Sequence, residues 1–502
     1  MILSNILSQI NVNFTIKSSN KDINVDDINI DSRLVTQNCA FFALKGFTND
    51  GNLFIKQAID KGASVIISDQ DFNDDILKNN SCVFINTTNC FELLIKFLQI
   101  FYYNLPQNIY AITGSNGKTS TAEFTRQILQ LIDKKSASIG TLGVVCDKDV
   151  KEKLPESFLT TPDIVTMYKT LSVLKSNDIN DVAIEFSSIG LEQKRIAGLF
   201  VNCAIFTNFS QDHLDYHNNM TEYFRCKMIL FKDILAKNGL AVINFDITEY
   251  KEITKICQDT SKNIFSYGFN GNNLKIISID HQDLGQQITI NILDNYYKFK
   301  IKSSARFEAY NIICALAAII GFYKLDKTKI TNLIYKLENI ESAAGRMERV
   351  AILPNHSQIF IDFAHSPDSL QKILKEIKLI AKNRVIVLFG CGGDRDITKR
   401  PKMGKIACTL ADLVIISDDN PRSENPQTIR LDIIKGCNKN NFIEIGDRKA
   451  AIKKAISLLE DNDILVLAGK GHEKYQVIKD KKIHFDEKEI IMQELSSFTD
   501  NY

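Results

Sequence analysis

The segment Ile109 to Ser120 has the residue types and the order of a phosphate-binding loop. It reads IYAITGSNGKTS, and the helical stretch Thr121 to Ile132 follows it. The N–H groups of residues 114–117 can point into one anion site at a helix N-terminus, Lys118 can reach terminal phosphates and Thr119 can hold Mg²⁺. We therefore predict that the chain uses ATP. The predicted phosphate-binding residues are Gly114, Ser115, Asn116, Gly117, Lys118, Thr119 and Ser120.

This loop departs from the general pattern GxxxxGK(S/T) at one position, since Ile112 stands where that pattern has a glycine. The shorter form TGxNGKT fits the chain. The alternative is a loop that holds glycine and lysine by chance. The strand before the loop and the helix after it disfavour that alternative.

Acidic and histidine residues follow two strands of the predicted middle segment. Glu185 ends the strand DVAIEF, and the next strand runs into TNFSQDHLDYH, which holds Asp212, His213 and His217. Ligands of open parallel sheets bind at such carboxyl ends. Glu185 alone fits an acidic helix cap as well as a Mg²⁺ ligand. We predict His213 as a metal ligand and His217 as an orienting or packing residue.

Lys227 stands among apolar residues in YFRCKMILF, on a predicted helix. A buried lysine is costly unless it is paired or neutral. One interpretation is a side chain that extends its ammonium group to solvent. The other is a lysine that reacts with CO₂ to form a carbamate, an anionic ligand for Mg²⁺. The residues alone do not choose between them.

Three turn-rich loops follow buried strands in the last third of the chain: GCGGDRD, DDNPRSENP and AGKGHE. Arg395 and Arg422 are placed to hold a carboxylate bidentately, and Glu473 adds a nearby carboxylate. Each loop taken singly fits a solvated turn. Three loops at one sheet edge favour a site for a zwitterionic, amino-acid-like ligand.

The elements that must position these residues alternate between strand and helix, which predicts an α/β fold. We expect three domains. Residues 1–104 form a small α/β domain, residues 105–338 a P-loop ATPase-like domain with a mostly parallel sheet, and residues 339–502 a Rossmann-like domain that binds an amino acid. Predicted strands include 64–68, 82–86, 181–186, 203–208 and 239–244; predicted helices include 54–61 and 311–322.

Composition excludes several classes of function. The formal net charge is +1, which gives no basic field for nucleic acid or membrane. The eleven cysteines include no CxxC pair and indicate free thiols in a reducing compartment. No apolar run approaches the roughly 18 residues of a membrane span, and the N-terminus lacks a basic leader. We expect a cytoplasmic monomer that acts on small molecules.

These motifs together resemble the Mur ligase family, and within it the MurE-type branch, over nearly the whole chain. Family-like segments include DSRLVTQNCAFFALKGFTNDG, TGSNGKTS, TTPD, EFSS, QKR, GRME, DFAHSPDS and DNPR. The resemblance implies ATP-dependent amide formation through an acyl phosphate, with UDP-N-acetylmuramoyl-L-alanyl-D-glutamate as acceptor. It implies contacts to that substrate from Ser32, Phe47, Thr48, Asn49, Thr160, Thr161, Ser187, Gln193 and Arg195.

The resemblance also implies a catalytic centre with Mg²⁺. Its catalytic residues are Lys118, His213 and Lys227, with Lys227 at the position of the family's carbamylated lysine. The implied metal ligands are Thr119, Glu185, His213 and the Lys227 carbamate. Asn311 is implied on the adenine side of ATP, with Arg346 at phosphate and Asp362 at ribose.

The DNPR motif is the form seen in the members that add meso-diaminopimelate. Arg422 can bind the distal carboxylate that distinguishes this amino acid from lysine, whereas lysine would leave the guanidinium unpaired. Discrimination of roughly 10⁴ is then reachable. The implied diaminopimelate-binding residues are Arg395, Asp419, Asn420, Pro421, Arg422, Gly469 and Glu473.

Four positions depart from the family pattern: Leu159, Ile189, Glu308 and Phe363. They affect residues around the site rather than the predicted phosphate, metal or carbamate residues. Three alternatives remain open. They are a lysine-adding Mur ligase, a folylpolyglutamate synthetase, and a nucleotide-binding relative without catalysis.

Overall fold

The computed structural model describes residues 1–17, 23–46, 49–72, 82–157, 159–213, 216–282 and 284–499. The chain divides into two compact units. The first comprises Met1–Ser115, Asp133–Ala241 and Lys251–Ile264, and the second comprises Asn116–Ile132, Val242–Tyr250 and Phe265–Tyr502. The expected domain boundaries near residues 104 and 338 stay predictions.

Helices and strands alternate along the described chain, as expected for an α/β protein. The helices are α1 Leu3–Leu7, α2 Ile55–Asp60, α3 Cys90–Phe101, α4 Lys118–Leu131, α5 Lys148–Lys151, α6 Ile164–Ser176, α7 Ser188–Glu192, α8 Met220–Ile229, α9 Tyr250–Asp259, α10 Arg306–Tyr323, α11 Lys327–Lys336, α12 Pro367–Ile380, α13 Lys399–Leu410, α14 Pro426–Ile434, α15 Arg448–Ser457 and α16 Glu487–Thr499. Short 3₁₀ helices span Ser32–Leu34, Gly51–Phe54 and Leu337–Asn339, and a π-helix spans Leu230–Ile234.

The strands are β1 Phe14–Ile16, β2 Asp27–Asn29, β3 Cys39–Ala43, β4 Ala63–Ser68, β5 Val83–Thr87, β6 Asn108–Thr113, β7 Ser136–Gly140, β8 Gly143–Val145, β9 Asp181–Glu185, β10 Val201–Phe206, β11 Leu235–Asn244, β12 Asn263–Gly268, β13 Leu274–Gln282, β14 Gly285–Ile292, β15 Asn295–Ile301, β16 Glu348–Ile352, β17 Gln358–Asp362, β18 Val385–Phe389, β19 Leu413–Ile416, β20 Phe442–Glu444, β21 Ile464–Ala468, β22 Tyr475–Ile478 and β23 Lys481–His484.

The first unit holds two sheets. The N-terminal sheet has the order β1-β5-β4-β3-β2 and is parallel except for the β1–β5 pair. Phe41, Ile66 and Phe84 pack in its core. Farther along the chain, β10, β6, β9 and β7 pair in parallel, and β8 joins β7 antiparallel. The carboxyl ends of these parallel strands carry the loop after β6 and Glu185, as the sequence predicts.

The second unit contains a doubly covered sheet of order β16-β17-β21-β18-β19-β20, parallel except at β16. Strand β18 is buried on both faces. Its residues Val385, Val387 and Phe389 pack in one core with α12 and α13, whereas Ile386 and Leu388 pack in another with α15 and α16. Helices on both faces of a parallel sheet are the arrangement of a Rossmann-like fold, which confirms that expectation.

The same unit contains the antiparallel strands β13, β14 and β15 and the apolar helix α10. Among the described residues, α10 is the one helix long and apolar enough, with mean hydropathy 1.3, to cross a membrane by length and composition. However, 67% of that stretch is buried inside the protein. A buried core helix passes the same test, so the finding is weak evidence for a span.

Several element ends differ from the sequence-based expectation. Helix α10 begins at Arg306 rather than at Asn311, and β11 begins at Leu235 rather than at Gly239. Helix α4 begins at Lys118 rather than at Thr121. In each case the first residues of the element include polar side chains, which break the apolar pattern that predicts the element.

Candidate functional site

The predicted phosphate loop connects β6 to α4. In the first unit, Gly114 has φ +144°, and a Cβ there would lie 2.0 Å from Thr207 Oγ1, so this position requires glycine. The Ser115 hydroxyl donates to the Ser210 carbonyl over 2.9 Å and accepts from the Tyr223 hydroxyl at 3.2 Å. Ser115 therefore anchors the loop to the neighbouring strand end, a role that sequence analysis did not predict.

The remaining loop residues belong to the second unit. Gly117 caps α4 with φ +82°, and a Cβ there would lie 2.4 Å from Asn311 Oδ1. Gly117 and Asn311 are thus in close contact, which places the predicted adenine-side residue next to the loop. Asn116 and Lys118 are half-buried and Ser120 is buried. The N–H groups at this end of α4 lie at a helix N-terminus, where the helix dipole favours anions.

Arg346 lies close to two other residues predicted to bind ATP, Thr119 and Asp362. Its Nη2 donates to Thr119 Oγ1 over 3.3 Å, and its guanidinium lies 4.8 Å from the centre of the Phe363 ring. The Arg346 charge also lowers the pKa of the nearby Asp362 carboxyl, although burial dominates and raises it to about 6. Asp362 accepts from the Met347 N–H over 2.8 Å, so it also holds the loop that carries Arg346.

Glu185 is buried at the end of β9, as predicted for a metal ligand. Its Oε1 accepts from the Thr141 N–H over 2.8 Å, and Thr141 Oγ1 lies 3.3 Å from Thr160 Oγ1. A Cβ on Gly140 would lie 2.0 Å from Glu185 Oε1, so the carboxylate depends on that glycine for space. Ser187, not Glu185, caps α7, which excludes the helix-cap alternative.

Four residues predicted to contact the UDP substrate form one hydrogen-bonded network beside Glu185. Thr161 Oγ1 donates to the Glu185 carbonyl over 2.9 Å and lies 3.2 Å from Ser187 Oγ. Arg195 donates to the Thr161 carbonyl over 2.8 Å and to Gln193 Oε1 over 2.6 Å. The chain thus presents hydroxyl, amide and guanidinium groups together, which suits a polar, anionic ligand.

The two other predicted metal-centre residues also lie in the first unit. Lys227 is buried on α8, donates to the Gly114 carbonyl over 2.8 Å and lies 4.4 Å from the centre of the Tyr223 ring. It does not extend to solvent, which excludes that interpretation. His213 is partly exposed, with φ +52°, and its Nε2 lies 3.7 Å from Asp212.

The structure describes some of the N-terminal residues that are predicted to contact UDP. Ser32 is buried and its hydroxyl donates to Gln57 Oε1 over 2.6 Å. Asn49 is exposed, and its carbonyl accepts from the Gly46 N–H. Phe47 and Thr48 lie outside the described residues. The structure therefore locates two of the four predicted residues in this segment.

The C-terminal loops bring most of the predicted amino-acid-binding residues together. Asn420 donates from Nδ2 to Glu473 Oε2 over 2.8 Å and accepts from the buried Lys470 Nζ over 3.2 Å. Gly469 has φ +116°, and a Cβ there would lie 2.7 Å from Asp419 Oδ2. Three loops distant in sequence thus meet at one sheet edge, as predicted from their strand-end positions.

Arg422 is half-buried in this group and has φ +51°. Its Nη1 donates to the Gly393 carbonyl over 2.7 Å, and its N–H donates to the Val477 carbonyl. These bonds orient the guanidinium. By contrast, Arg395 is exposed. A cavity of about 620 Å³ is lined by Asp418, Pro421, Arg422, Ser423, Glu424, Asn425, Pro426, Gly446, Asp447, Arg448, Lys449, Gln476, Ile478, Lys479 and Phe485.

Sequence analysis missed several residues that hold the site. Thr141 orients Glu185, Gln57 holds Ser32, and Tyr223 contacts both Ser115 and Lys227. Lys470, in the AGKGHE loop, donates to Asn420 Oδ1, a contact that the sequence did not indicate. These contacts join residues far apart in the chain. The available signal was position alone, since Thr141 directly follows a strand of the same parallel sheet.

Comparisons with known proteins agree with this geometry. Residues 24–89, 112–319 and 345–471 match family models described as Mur ligase family, catalytic domain; Mur ligase middle domain; and Mur ligase, glutamate ligase domain. A protein of Rickettsia bellii (strain RML369-C) is 42% identical over 480 residues, which cover 95% of this chain and 97% of that protein. This chain belongs to the Mur ligase family.

That Mur ligase from Rickettsia bellii is named UDP-N-acetylmuramoyl-L-alanyl-D-glutamate--2,6-diaminopimelate ligase. A protein of the same name from Caulobacter vibrioides is 36% identical over 462 residues, covering 92% of this chain and 93% of that protein. A solved structure with that name superimposes with a TM-score of 0.69 and 27% identity, covering 99% of each chain. The chain shares the three-domain architecture of Mur ligases.

Proposed function

We propose that this Mur ligase joins meso-2,6-diaminopimelate to UDP-N-acetylmuramoyl-L-alanyl-D-glutamate in an ATP-dependent reaction. The observation that carries the proposal is the similarity over 95% of the chain to a relative named for that reaction. The intact DNPR motif supports it, because its Asn420 bonds the Glu473 carboxylate and the Lys470 ammonium group, and its Arg422 donates to the Gly393 carbonyl. Such a network suits an amino acid with charges at both ends.

The loop between β6 and α4 would bind the phosphates of ATP. Glycine at positions 114 and 117 lets the backbone approach a ligand closely, and Lys118 begins α4 where the helix dipole favours anions. Arg346 adds a second cation beside Thr119. Asn311 contacts the loop at Gly117 and would face the adenine side.

The residues predicted to hold Mg²⁺ carry the types of ligand atom that this ion binds. Glu185 offers buried carboxylate oxygens beside the Gly140 cradle, and Thr119 offers a hydroxyl, which are the hard ligands that Mg²⁺ prefers. His213 and a carbamate on Lys227 would complete the ligands. When bound, Mg²⁺ supplies positive charge that stabilises the phosphates as they react.

In the proposed reaction, the terminal carboxylate of the UDP-linked dipeptide attacks the γ-phosphate of ATP and ADP leaves. The amine of diaminopimelate then attacks the acyl phosphate, and phosphate leaves. Lys118 and the loop N–H groups would stabilise the negative charge that develops on the transferring phosphoryl group. The Thr161, Ser187, Gln193 and Arg195 network would hold the dipeptide substrate in line.

The specificity for diaminopimelate would come from Arg422. Its bond to the Gly393 carbonyl fixes the orientation of the guanidinium. The group could therefore donate to a carboxylate without a change in its side-chain conformation. Glu473 would accept from the distal ammonium of the ligand. Because Arg395 is exposed, we expect it to contribute less to binding diaminopimelate than its position in the sequence indicated.

A monomeric state and a cytoplasmic location remain expectations. The alternatives also remain distinct by substrate: a lysine-adding ligase would use lysine, a folylpolyglutamate synthetase would use a folate and glutamate, and a non-catalytic relative would release no phosphate with any of these. The DSR motif around Ser32 and the DNPR motif disfavour the folate alternative.

The test is the kinetics of Arg422→Ala with each amino acid. Losing a hydrogen-bonded charged contact of about 1.5–3 kcal/mol should reduce kcat/KM for diaminopimelate roughly 10- to 150-fold. The KM for the UDP-linked dipeptide should stay unchanged, and Arg395→Ala should have the smaller effect. Unchanged kcat/KM in Arg422→Ala would overturn the specificity assignment.

Lys118→Ala tests the phosphate chemistry separately. Removing a preorganised charge donor costs about 10²–10³ in kcat, so phosphate release should fall by that factor with either amino acid. Near-normal turnover in Lys118→Ala would overturn the assignment of the loop as the ATP site.

A further inference from the structure

Glu192, His217 and Cys226 form a cluster of ligand-type side chains that the proposed reaction does not use. Glu192 ends α7, His217 lies in the loop before α8, and Cys226 lies on α8. One ligand atom from each lies within 4.8 Å of the other two. Within the described residues, this is the one such group of three or more histidine, cysteine or carboxylate side chains.

The imidazole of His217 is oriented by a bond outside the cluster. Its Nε2 lies 2.8 Å from Ser188 Oγ, and its Nδ1 lies 3.9 Å from Cys226 Sγ. In the tautomer with the proton on Nε2, the ring donates to Ser188 and directs the Nδ1 lone pair toward Cys226. Metal-binding histidines characteristically have their other nitrogen held in this way.

The carboxylate of Glu192 provides an independent indication of a ligand. Its Oε2 is buried and has no hydrogen-bond partner among the described residues. A buried acceptor without a partner costs about 1–3 kcal/mol, and more when it is charged. Burial raises the pKa of the neighbouring Tyr216 hydroxyl, and a hydrogen bond to the Glu192 carboxylate and the charge of that carboxylate raise it less strongly. A cation between Glu192, His217 and Cys226 would satisfy this oxygen.

The environment of Cys226 argues against a reactive nucleophile. Burial, and less strongly the carboxylates of Glu192 and Glu222, raise the pKa of its thiol to about 11 and outweigh the charges of Arg225 and Lys227, which lower it. A cysteine nucleophile needs the opposite arrangement, with nearby positive charge that favours the thiolate. Coordination differs from that case, because a bound divalent cation replaces the thiol proton, which is released to solvent.

The donor set selects among cations. Thiolate, imidazole and carboxylate together suit Zn²⁺, whereas Mg²⁺ prefers six oxygen ligands. With Zn–S near 2.3 Å and Zn–N near 2.0 Å, tetrahedral geometry places sulfur and nitrogen about 3.5 Å apart. The observed 3.9 Å needs only a small contraction. We propose that Glu192, His217 and Cys226 bind one Zn²⁺, with a fourth position for water.

Such a site would connect α7 to α8. Cys226 directly precedes Lys227, whose Nζ donates to the Gly114 carbonyl in the phosphate loop. Zn²⁺ would therefore fix the helix that carries Lys227 without touching the reacting atoms. The proposal does not depend on the proposed function, since it concerns the fold of the first unit alone.

The test uses the full-length chain made without a polyhistidine tag and stripped of metal by a chelator. Co²⁺ titration should produce a thiolate-to-cobalt absorption band that saturates at one Co²⁺ per chain. Zn²⁺ should displace it, with an affinity measured against a chromophoric chelator. Cys226→Ser should abolish the band and weaken Zn²⁺ binding at least tenfold, and His217→Gln should weaken it similarly.

The matched control is Cys257→Ser, which removes a buried cysteine on α9 whose thiol pKa burial also raises, to about 12. This variant should keep the band and the Zn²⁺ affinity. Absence of the band in the unmodified chain would overturn the proposal even if Cys226→Ser fails to fold. A band that persists in Cys226→Ser, or that Cys257→Ser removes instead, would also overturn it.

Discussion

Glu308, one of the departures from the family pattern, makes stability depend on pH. It is fully buried on α10, and the hydroxyls of Ser303 and Ser342 donate to its Oε2. Oε1 has no hydrogen-bond partner among the described residues. Burial raises the pKa of this carboxyl from 4.5 to about 8, the hydroxyls lower it, and the charge of Asp362 raises it. Glu308 is therefore protonated in the folded protein at neutral pH.

The sign of the effect follows from where the proton is held. Between pH 4.5 and about 8 the folded state keeps the Glu308 proton and the unfolded state loses it. The free energy of unfolding therefore falls as the pH rises through this window and becomes constant above it. The interval between these pKa values, at 1.36 kcal/mol per pH unit, gives an upper magnitude of about 5 kcal/mol.

The variant Glu308→Gln removes the titration and keeps the shape of the side chain. We expect the stability of the original chain relative to Glu308→Gln to fall between pH 5 and 8.5, by up to about 4 kcal/mol. Hydrogen exchange at the amides of α10, measured in low urea, reports the free energy of opening this segment. Glu341→Gln, at an exposed carboxylate, should leave the pH dependence unchanged. A stability difference that is the same at pH 5 and pH 8.5 would refute this account of Glu308.

Two further variants test the site and the core. Gly117→Ala should weaken ATP binding at least tenfold, because its Cβ would lie 2.4 Å from Asn311 Oδ1. Gly143→Ala has φ +72° but nothing within 4 Å of its Cβ, so it should not weaken ATP binding. Calorimetric titration with ATP measures both affinities, and equal affinities of the two variants would contradict the contact. Arg448→Ala should lower the free energy of unfolding by about 3–5 kcal/mol, because it leaves Glu487 buried without its partner at 2.7 Å; a loss below about 1 kcal/mol in urea unfolding would contradict this.

Much of the fold could be predicted because the apolar residues that form a pattern in the sequence are also the residues that are buried in the structure. Apolar runs such as the one at Val385 to Phe389 are buried on both faces, and they read as strands of a covered parallel sheet. The start of α10 could not be predicted, because Arg306 and Glu308 break the apolar pattern. Glu308 is protonated because its burial raises the pKa, although the hydroxyls of Ser303 and Ser342, which come from other segments of the chain, lower it.

In the candidate site, too, features set by the local sequence could be predicted, and features set by contacts between distant residues could not. Glycine and lysine at the phosphate loop have local meaning, since their conformational and charge requirements follow from the motif itself. The bond from Thr141 to Glu185 depends on the order of strands in the sheet. Likewise, no spacing in the sequence relates Cys226 to Glu192. Their proximity arises when α7 packs against α8.

The mass of the product shows whether this chain joins diaminopimelate to the UDP-linked dipeptide. The chain is incubated with ATP, Mg²⁺ and UDP-N-acetylmuramoyl-L-alanyl-D-glutamate, and with either meso-diaminopimelate or L-lysine. We expect a product with the mass of the diaminopimelate adduct, one phosphate released per product, and little product with lysine. Product with lysine in preference to diaminopimelate, or no product with either amino acid, would contradict the proposed function.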